Sequence, residues 1–172
     1  MSKSGPEFEI IALPPEQWPA YKALRLEALQ SDPQAFGASH AAAVEKPDAF
    51  WHDGLVRAAQ SDGQWILFAR TQNRFVGMIG AFVGDSPVVA SVVMVYVTQS
   101  ERGQGIARQL MNALITEVRY SGVGRLRLTV NSTQHAAVAL YKSSGFAVIG
   151  TENARLGDGN FHDEFLMERL LF

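Results

Sequence analysis

Two hydrophobic periods meet in the middle of the chain, on either side of a short polar turn. Residues 91–97 are apolar or β-branched at almost every position, which predicts a strand buried on both faces. In residues 106–118 the apolar positions recur every three or four residues and the polar positions take the opposite face. This spacing predicts an amphipathic helix. The turn between the two elements contains Gly103 and Gly105.

Alternating and helical patterns predict further elements on both sides of this unit. Strands are expected at residues 8–13, 64–70, 75–83, 125–131, 146–150 and 161–170. Helices are expected from residue 15 to about residue 31, over 47–60 and over 133–144. The helix at 47–60 is expected to turn four side chains inward: Phe50, Trp51, Leu55 and Val56.

The order of these elements predicts the fold class. Three antiparallel strands lead into the central unit, and its strand, helix and following strand imply a parallel pair with a right-handed crossover. The predicted class is therefore α/β, with helices against a mixed sheet that begins antiparallel. Residues 1–172 are expected to form one domain.

Composition and charge exclude several classes of function. The net charge is −2 at pH 7 and no run of like charges occurs, which argues against a nucleic-acid surface. The chain has no cysteine, which excludes a disulfide framework, a thiolate zinc site and a cysteine nucleophile. Its four histidines lack metal-ligand spacing, so no metal is expected. Because no apolar leader or membrane-spanning stretch is present, we expect a cytoplasmic protein that does not contact a membrane.

The glycine turn predicts an anion site. A buried strand that feeds a helix through such a turn leaves the first helical N–H groups unpaired. Those donors and the helix dipole favour a phosphate, and glycine lets the backbone approach it closely. The lysine of a P-loop is absent, and Arg108 stands where a dinucleotide fingerprint needs a small residue. The turn therefore predicts a phosphate site of another kind.

Two motifs resemble those of one enzyme superfamily. The turn Arg102-Gly103-Gln104-Gly105-Ile106-Ala107 resembles the Arg/Gln-x-x-Gly-x-Gly/Ala signature of the GNAT N-acetyltransferases. The segment Ala137-Val-Ala-Leu-Tyr141-Lys-Ser-Ser-Gly145-Phe146 resembles their Ala-x-x-x-Tyr-x-x-x-Gly-Phe segment. The resemblance covers nearly the whole chain and implies the GNAT fold, in which two central parallel strands splay apart around the pantetheine arm of CoA.

The resemblance also implies acetyl-CoA as co-substrate, with its pyrophosphate on the turn at residues 102–107. Arg102 and Arg108 flank that turn and are expected to act as charge partners of the phosphates. One position departs from the family pattern, because Gln134 stands where an Asn often touches the CoA arm. Asn131, at the end of the preceding predicted strand, could supply a similar amide. The sequence leaves open which of these two residues contacts the pantetheine arm.

Acetyl transfer to an amine needs a base, an oxyanion site and an acid. Only about one lysine-like amine in a few thousand is neutral at pH 7, so a base or a water chain must remove its proton. Main-chain N–H groups from Val95 through Tyr96 to Val97 are the expected donors to the thioester oxygen. In the resembling enzymes a tyrosine at the position of Tyr141 protonates the departing sulfur, and the same role is expected here.

Of the base, the oxyanion site and the acid, the base is the group that the sequence identifies least clearly. Glu27, on the first predicted helix near the expected acceptor wall, is the first candidate. Tyr96 is expected to line the acceptor side. The other candidate bases are Glu101, Asp163 and Glu164.

These observations favour an N-acetyltransferase that acts directly on a primary amine. The acceptor is either a small molecule or a peptide, since the loops around residues 30–60 and 151–162 that would select it are variable by nature. A non-catalytic acyl-CoA sensor on the same fold is the main alternative, and a nucleotide-binding α/β domain is a third. In similar proteins a homodimer is common, and that analogy is the only guide to oligomeric state.

Overall fold

The computed structural model describes residues 7–60 and 62–172, and in these residues seven strands form one mixed sheet. The strands are β1 (Phe8–Ile11), β2 (Gln64–Thr71), β3 (Arg74–Val83), β4 (Val89–Val97), β5 (Arg125–Asn131), β6 (Ala147–Arg155) and β7 (Phe161–Leu170). The α-helices are α1 (Trp18–Ser31), α2 (His40–Val44), α3 (Asp48–Ala59), α4 (Ile106–Arg119) and α5 (His135–Ser143). The strand order is β1-β2-β3-β4-β5-β7-β6.

The sheet separates two apolar layers. On one face α4 inserts its predicted stripe, and Leu110, Leu114 and Val118 have no exposed surface. On the other face α1 and α3 contribute Leu24 and Leu55 to a second layer. The α4 stripe is buried because its apolar residues share one helical face. No helix in residues 7–60 or 62–172 is long and apolar enough to cross a membrane.

The central strands confirm the predicted parallel pair and show where it opens. β4 and β5 pair only from Val89, opposite Arg125, to Ser91, opposite Arg127. Beyond that point β4 loses its partner on this side, and Met94 has a φ of 57° at a register shift between β3 and β4. A bulge of this kind bends a strand and interrupts its pairing. The two strands therefore diverge into a cleft.

Five features differ from the sequence-based expectations. The middle of β4 is half-buried rather than buried on both faces, because it borders the cleft. Phe50 is 41% exposed, because the buried stripe of α3 runs through Trp51 and Leu55 and Phe50 lies about 100° off it. Val56 is likewise only half-buried. The short helix α2 and the full length of β6 were not predicted.

Gly77, in β3, is required by the packing of α4, and we expect Gly77→Ala to destabilise the protein by about 1–3 kcal/mol. A Cβ there would lie 3.1 Å from a methyl carbon of Leu110 and 3.1 Å from the carbonyl oxygen of Tyr96, and the backbone oxygen cannot rotate away. Gly150→Ala is the matched control, because its nearest neighbour would be 3.9 Å away. Urea unfolding of both variants measures the difference, and equal midpoints would contradict this account.

Candidate active site

The glycine turn presents a row of unpaired backbone amides. Gly105 is the N-cap of α4, with a φ of 84°, and no side chain of the described residues caps that helix end. The Arg102 amide bonds the carbonyl of Gln99, and the next backbone bond is from Gln109 to Gly105. The amides between these two positions have no backbone partner within the described chain. They are donors available to an anion.

The side chain of Arg102 makes hydrogen bonds that connect the glycine turn to the neighbouring elements. The Arg102 Nε donates to the carbonyl oxygen of Val97 at 2.9 Å, and an Nη donates to Asp32 at 2.5 Å. Arg102 also lies 5.6 Å from the ring centre of Tyr96. These contacts join the turn to the end of β4 and to the end of α1, so part of the hydrogen-bonding capacity of Arg102 is already used.

Arg108 and Gln104 have their own local partners. Arg108 donates to the hydroxyl of Ser143 at 3.0 Å, which links α4 to α5. Gln104 donates to Glu101 at 3.3 Å, and Glu101 also accepts from Arg74 at 3.0 Å. Glu101 is therefore an ion-pair partner at the rim. The phosphate contacts predicted for Arg102 and Arg108 stay predictions.

A cavity of about 400 Å³ extends from the turn along the splayed edge of β4. Its wall includes the predicted residues of both motifs: Val95, Tyr96, Val97, Arg102, Gly103, Gly105, Ile106, Ala107, Arg108, Gln134 and Tyr141. Gln104 is not part of that wall. Because β4 is unpaired with β5 beyond Ser91, its polar backbone groups on that side face the cleft. We call this cavity the cofactor half.

A second cavity of about 320 Å³ continues from the first, and we call it the acceptor half. The two halves share six residues, and three of them, Val95, Gln134 and Tyr141, are predicted site residues. These residues stand where a group bound in one half would meet a group bound in the other. The acceptor half is closed by residues from the loops after α1 and after β6, including Phe36 and Leu156.

Tyr141 lies at the junction of the two halves. The residue is 7% exposed, and its ring packs edge-on against Phe146 with ring centres 6.1 Å apart. Its hydroxyl makes no hydrogen bond with any part of the described chain. Burial raises the pKa of Tyr141, because the phenolate is poorly solvated there. The group therefore stays protonated at neutral pH and can donate a proton.

The two amides proposed for the pantetheine arm have different surroundings. Asn131 is 1% exposed, its Nδ2 donates to the carbonyl of Gln34 at 3.0 Å, and its Oδ1 accepts from the backbone and hydroxyl of Thr133. Its side chain thus ties the end of β5 to the loop after α1. Gln134 is half-buried and lines both halves of the cleft. Asn131 lines the acceptor half alone, so only Gln134 reaches the cofactor half, and the pantetheine contact stays a prediction.

Glu27 is placed where it holds α1 to β4. Its Oε2 accepts hydrogen bonds from the hydroxyls of Tyr96 at 2.7 Å and Thr98 at 2.8 Å. Burial and the neighbouring carboxylate raise the pKa of Tyr96 to about 12, so this phenol stays a donor. Glu27 lines neither half of the cleft. The geometry therefore gives Glu27 a positioning role and does not support its predicted role as base.

Glu164 is the carboxylate of the acceptor half. It comes from β7, is 7% exposed and lines the cavity near Tyr141. Burial, and then the carboxylate of Glu152 on the facing strand, raise the pKa of Glu164, while His162 and Thr129 act in the opposite direction. Its neighbour Asp163 instead accepts a hydrogen bond from Asn153 at 3.0 Å on the other face of β7. A carboxylate with a raised pKa is suited to accept a proton near neutral pH.

Arg25 and Asp32 are charged residues of the cleft that the sequence analysis did not name. Asp32 is the ion-pair partner of Arg102, and Arg25 has no such partner in the described residues. Arg25 lies on α1 and lines the acceptor half. Its position four residues after Tyr21 and four before Leu29, both buried, places it on the apolar stripe of the helix. An arginine at such a position is the signal that could have found it. Within the described residues, no group of histidine and acidic side chains could hold a metal ion.

We expect Gly105→Ala to raise KM for acetyl-CoA by about ten-fold or more. The new Cβ would meet no protein atom within 4 Å, but the backbone has a φ of 84°, which costs an L-residue about 1–2 kcal/mol. Relaxation of that turn would misalign the amide donors. Gly122→Ala is the matched control, because it has a φ of 87° and equally open surroundings at the far end of α4. Both variants should lose similar stability, and an unchanged KM in Gly105→Ala would contradict the role of the turn.

The chain is similar in sequence to known acetyltransferases. The model of the acetyltransferase (GNAT) family matches residues 18–146. The chain is 31% identical to human N-acetyltransferase 8 over 51% of its own length and 40% of that protein. It is 34% identical to the [ribosomal protein bS18]-alanine N-acetyltransferase of Escherichia coli (strain K12), over 56% of this chain and 64% of that one. The chain thus spans less than two thirds of either relative.

Solved structures share the fold. A GNAT-family acetyltransferase from Streptococcus pneumoniae superimposes with a TM-score of 0.84 at 23% identity, over 96% of this chain and 100% of that one. Salmonella typhimurium yncA, solved with its cofactor acetyl-CoA, superimposes with a TM-score of 0.81 at 20% identity, over 96% and 95% of the two chains. These similarities confirm the predicted fold.

Proposed function

This chain belongs to the acetyltransferase (GNAT) family, and from that membership we propose that it transfers the acetyl group of acetyl-CoA directly to a primary amine. One observation carries the proposal: a single cleft joins an uncapped helix end, the unpaired edge of β4 and the phenol of Tyr141. An acyl-CoA needs these three features in this order, for its pyrophosphate, its thioester and its leaving sulfur.

The open amides and the cavity of the cofactor half support the binding of acetyl-CoA there. The open amides between Gly103 and Arg108 would bind the pyrophosphate. The pantetheine arm would lie along β4, with the amide of Gln134 beside it. This arrangement would bring the thioester carbonyl to the backbone of Val95 and its neighbours. Preorganised N–H donors at such a site stabilise the oxyanion that develops during acyl transfer.

Glu164 would start the reaction by removing a proton from the ammonium form of the acceptor, directly or through one water. The free amine then attacks the carbonyl carbon, so that a C–N bond forms and the negative charge moves to the carbonyl oxygen. When the C–S bond breaks, the hydroxyl of Tyr141 gives its proton to the thiolate of CoA. The nitrogen, positively charged after its attack, passes its extra proton to the phenolate of Tyr141, directly or through water, which restores the phenol as the carbonyl re-forms. The proton on Glu164 leaves to solvent, so one proton is released per turnover.

The test is acetyl-CoA-dependent release of free thiol across a panel of primary amines, from small molecules to peptides. Turnover with N-acetylated product supports the proposal. Thermal stabilisation by CoA without turnover on any amine would instead support the non-catalytic sensor. Stabilisation by NAD or ATP and not by CoA would contradict both.

A further inference from the structure

Arg25 carries a positive charge into the acceptor half without an acidic partner. Its Nη1 is buried and makes no hydrogen bond with the described residues. The guanidinium lies 4.9 Å from the ring centre of Phe36, which also lines the acceptor half. No ion pair is formed by Arg25 within residues 7–60 and 62–172, whereas other charged side chains of α1 are used, such as Lys22 with Asp48.

Arg25 is half-buried, and its Nη1 is the buried donor that lacks a partner in the described residues. Buried polar groups are nearly always hydrogen-bonded, and one left without a partner requires an explanation. Burial lowers the pKa of Arg25, yet the guanidinium stays charged at every physiological pH. Its planar fork matches the two oxygens of a carboxylate. A carboxylate in the acceptor half would therefore pair with this guanidinium and neutralise its charge.

The position of Arg25 separates it from the coenzyme. Arg25 lines the acceptor half and is absent from the wall of the cofactor half. Its donor is therefore not directed at the phosphates expected on the turn before α4. The reacting amine must lie where the halves meet, at Tyr141, and Glu164 lines the same acceptor half. The acceptor half thus has a site for an amine at one end and a site for an anion elsewhere on its wall.

The walls of the acceptor half favour a small molecule. The Gly157 amide donates to the carbonyl of Phe36 at 2.7 Å, which joins the loop after β6 to the loop after α1. Even a Cβ at position 157 would lie 2.4 Å from the carbonyl oxygen of Ala38. The volume of about 320 Å³ is at the lower end of that of small-ligand sites. A closed wall and a small volume suit a free metabolite better than a polypeptide segment.

We infer, resting on the function proposed above, that the acceptor is a free amino acid whose carboxylate is bound by Arg25 while its amine faces Glu164 and Tyr141. Arg25 is then a specificity-determining residue, since it selects the acceptor without touching the atoms that react.

Matched pairs of substrates test this inference. Each pair is an amino acid and the amine obtained by removing its carboxylate: alanine with ethylamine, methionine with 3-(methylthio)propylamine, and phenylalanine with phenethylamine. kcat/KM is measured by thiol release and expressed per unprotonated amine, because the two members of a pair differ in amine pKa. The wild-type protein is expected to prefer the amino acid of at least one pair by about 30-fold or more.

Variants assign that preference to Arg25. Arg25→Met keeps the length of the side chain and should bring the preference ratio close to 1. Arg25→Lys keeps the charge but loses the fork, so its ratio should be intermediate. Arg57→Met is the matched control, because Arg57 is an exposed arginine of α3 that lines neither half of the cleft. A wild-type ratio near 1, or an unchanged ratio in Arg25→Met, would overturn the inference.

A binding measurement keeps this inference separate from the proposed function. Calorimetry in the presence of CoA compares N-acetylated amino acids with the matching N-acetylated amines. If no amine is turned over but the acids bind through Arg25, the acetyl-transfer proposal fails and the carboxylate site stands. If amines are turned over with no dependence on Arg25, acetyl transfer stands and the carboxylate site fails. If the protein shows neither turnover nor binding that depends on Arg25, both fail.

Discussion

The Tyr141→Phe variant is expected to turn over about 100-fold more slowly than the wild-type protein, with KM for acetyl-CoA unchanged. The ring would keep its packing against Phe146, so the cleft keeps its shape and only the proton donor is lost. Without it the sulfur must leave as an unprotonated thiolate. Steady-state thiol release at saturating acceptor measures the effect.

Tyr120→Phe is the control for this substitution, because Tyr120 follows α4 and is 88% exposed. It should turn over at the wild-type rate. Burial raises the pKa of Tyr141, so the acid form persists above pH 10, where an ordinary tyrosine ionises. The wild-type kcat should therefore not decline on the alkaline side before that pH. An unchanged kcat in Tyr141→Phe would remove Tyr141 from the mechanism.

Glu164→Gln is expected to lower kcat/KM for the amine by about 100-fold at neutral pH. The amide has nearly the shape of the carboxylate but cannot accept the proton of the ammonium. The pKa of Glu164 is raised, so its basic form is lost as pH falls through a value above that of an ordinary glutamate. The acid limb of the wild-type kcat/KM profile should lie at that raised pKa, and it should be missing in Glu164→Gln.

Glu152→Gln checks the assignment of that limb. Glu152 pairs with Glu164 across β6 and β7, and its negative charge helps to raise the pKa of Glu164. Removing the charge should move the acid limb to lower pH while the plateau of kcat/KM stays within about two-fold. A limb that moves to higher pH, or that survives in Glu164→Gln, would show that another group is the base.

The central unit could be predicted because its signals are local. The period of the apolar residues changes at the glycine turn, and the helix that follows begins at Ile106 as expected. β5 and β7 have the predicted bounds. Each boundary is specified by residues a few positions apart in the chain, which is the range over which periodicity and turn chemistry act.

The partners of charged side chains could not be predicted in the same way. Glu27 accepts from the hydroxyls of Tyr96, in β4, and Thr98, just after it, about 70 positions away in the chain. Only the packing of α1 on the sheet brings them together. Asn131 reaches the carbonyl of Gln34 for the same reason. The position of β7 between β5 and β6, which carries Glu164 into the cleft, also depends on contacts between distant segments. Sequence reasoning named Glu164 as one candidate of several, and we propose it as the base because it lines the acceptor half.

The bridge between Gly157 and Phe36 has a consequence for how this protein can change. It is made by main-chain atoms alone, so it does not depend on which side chains the two loops carry. Residues next to Gly157 can therefore be substituted without loss of this hydrogen bond, which closes the wall of the acceptor half. Directed evolution toward new acceptors should therefore succeed most often in libraries that keep Gly157 and vary its neighbours.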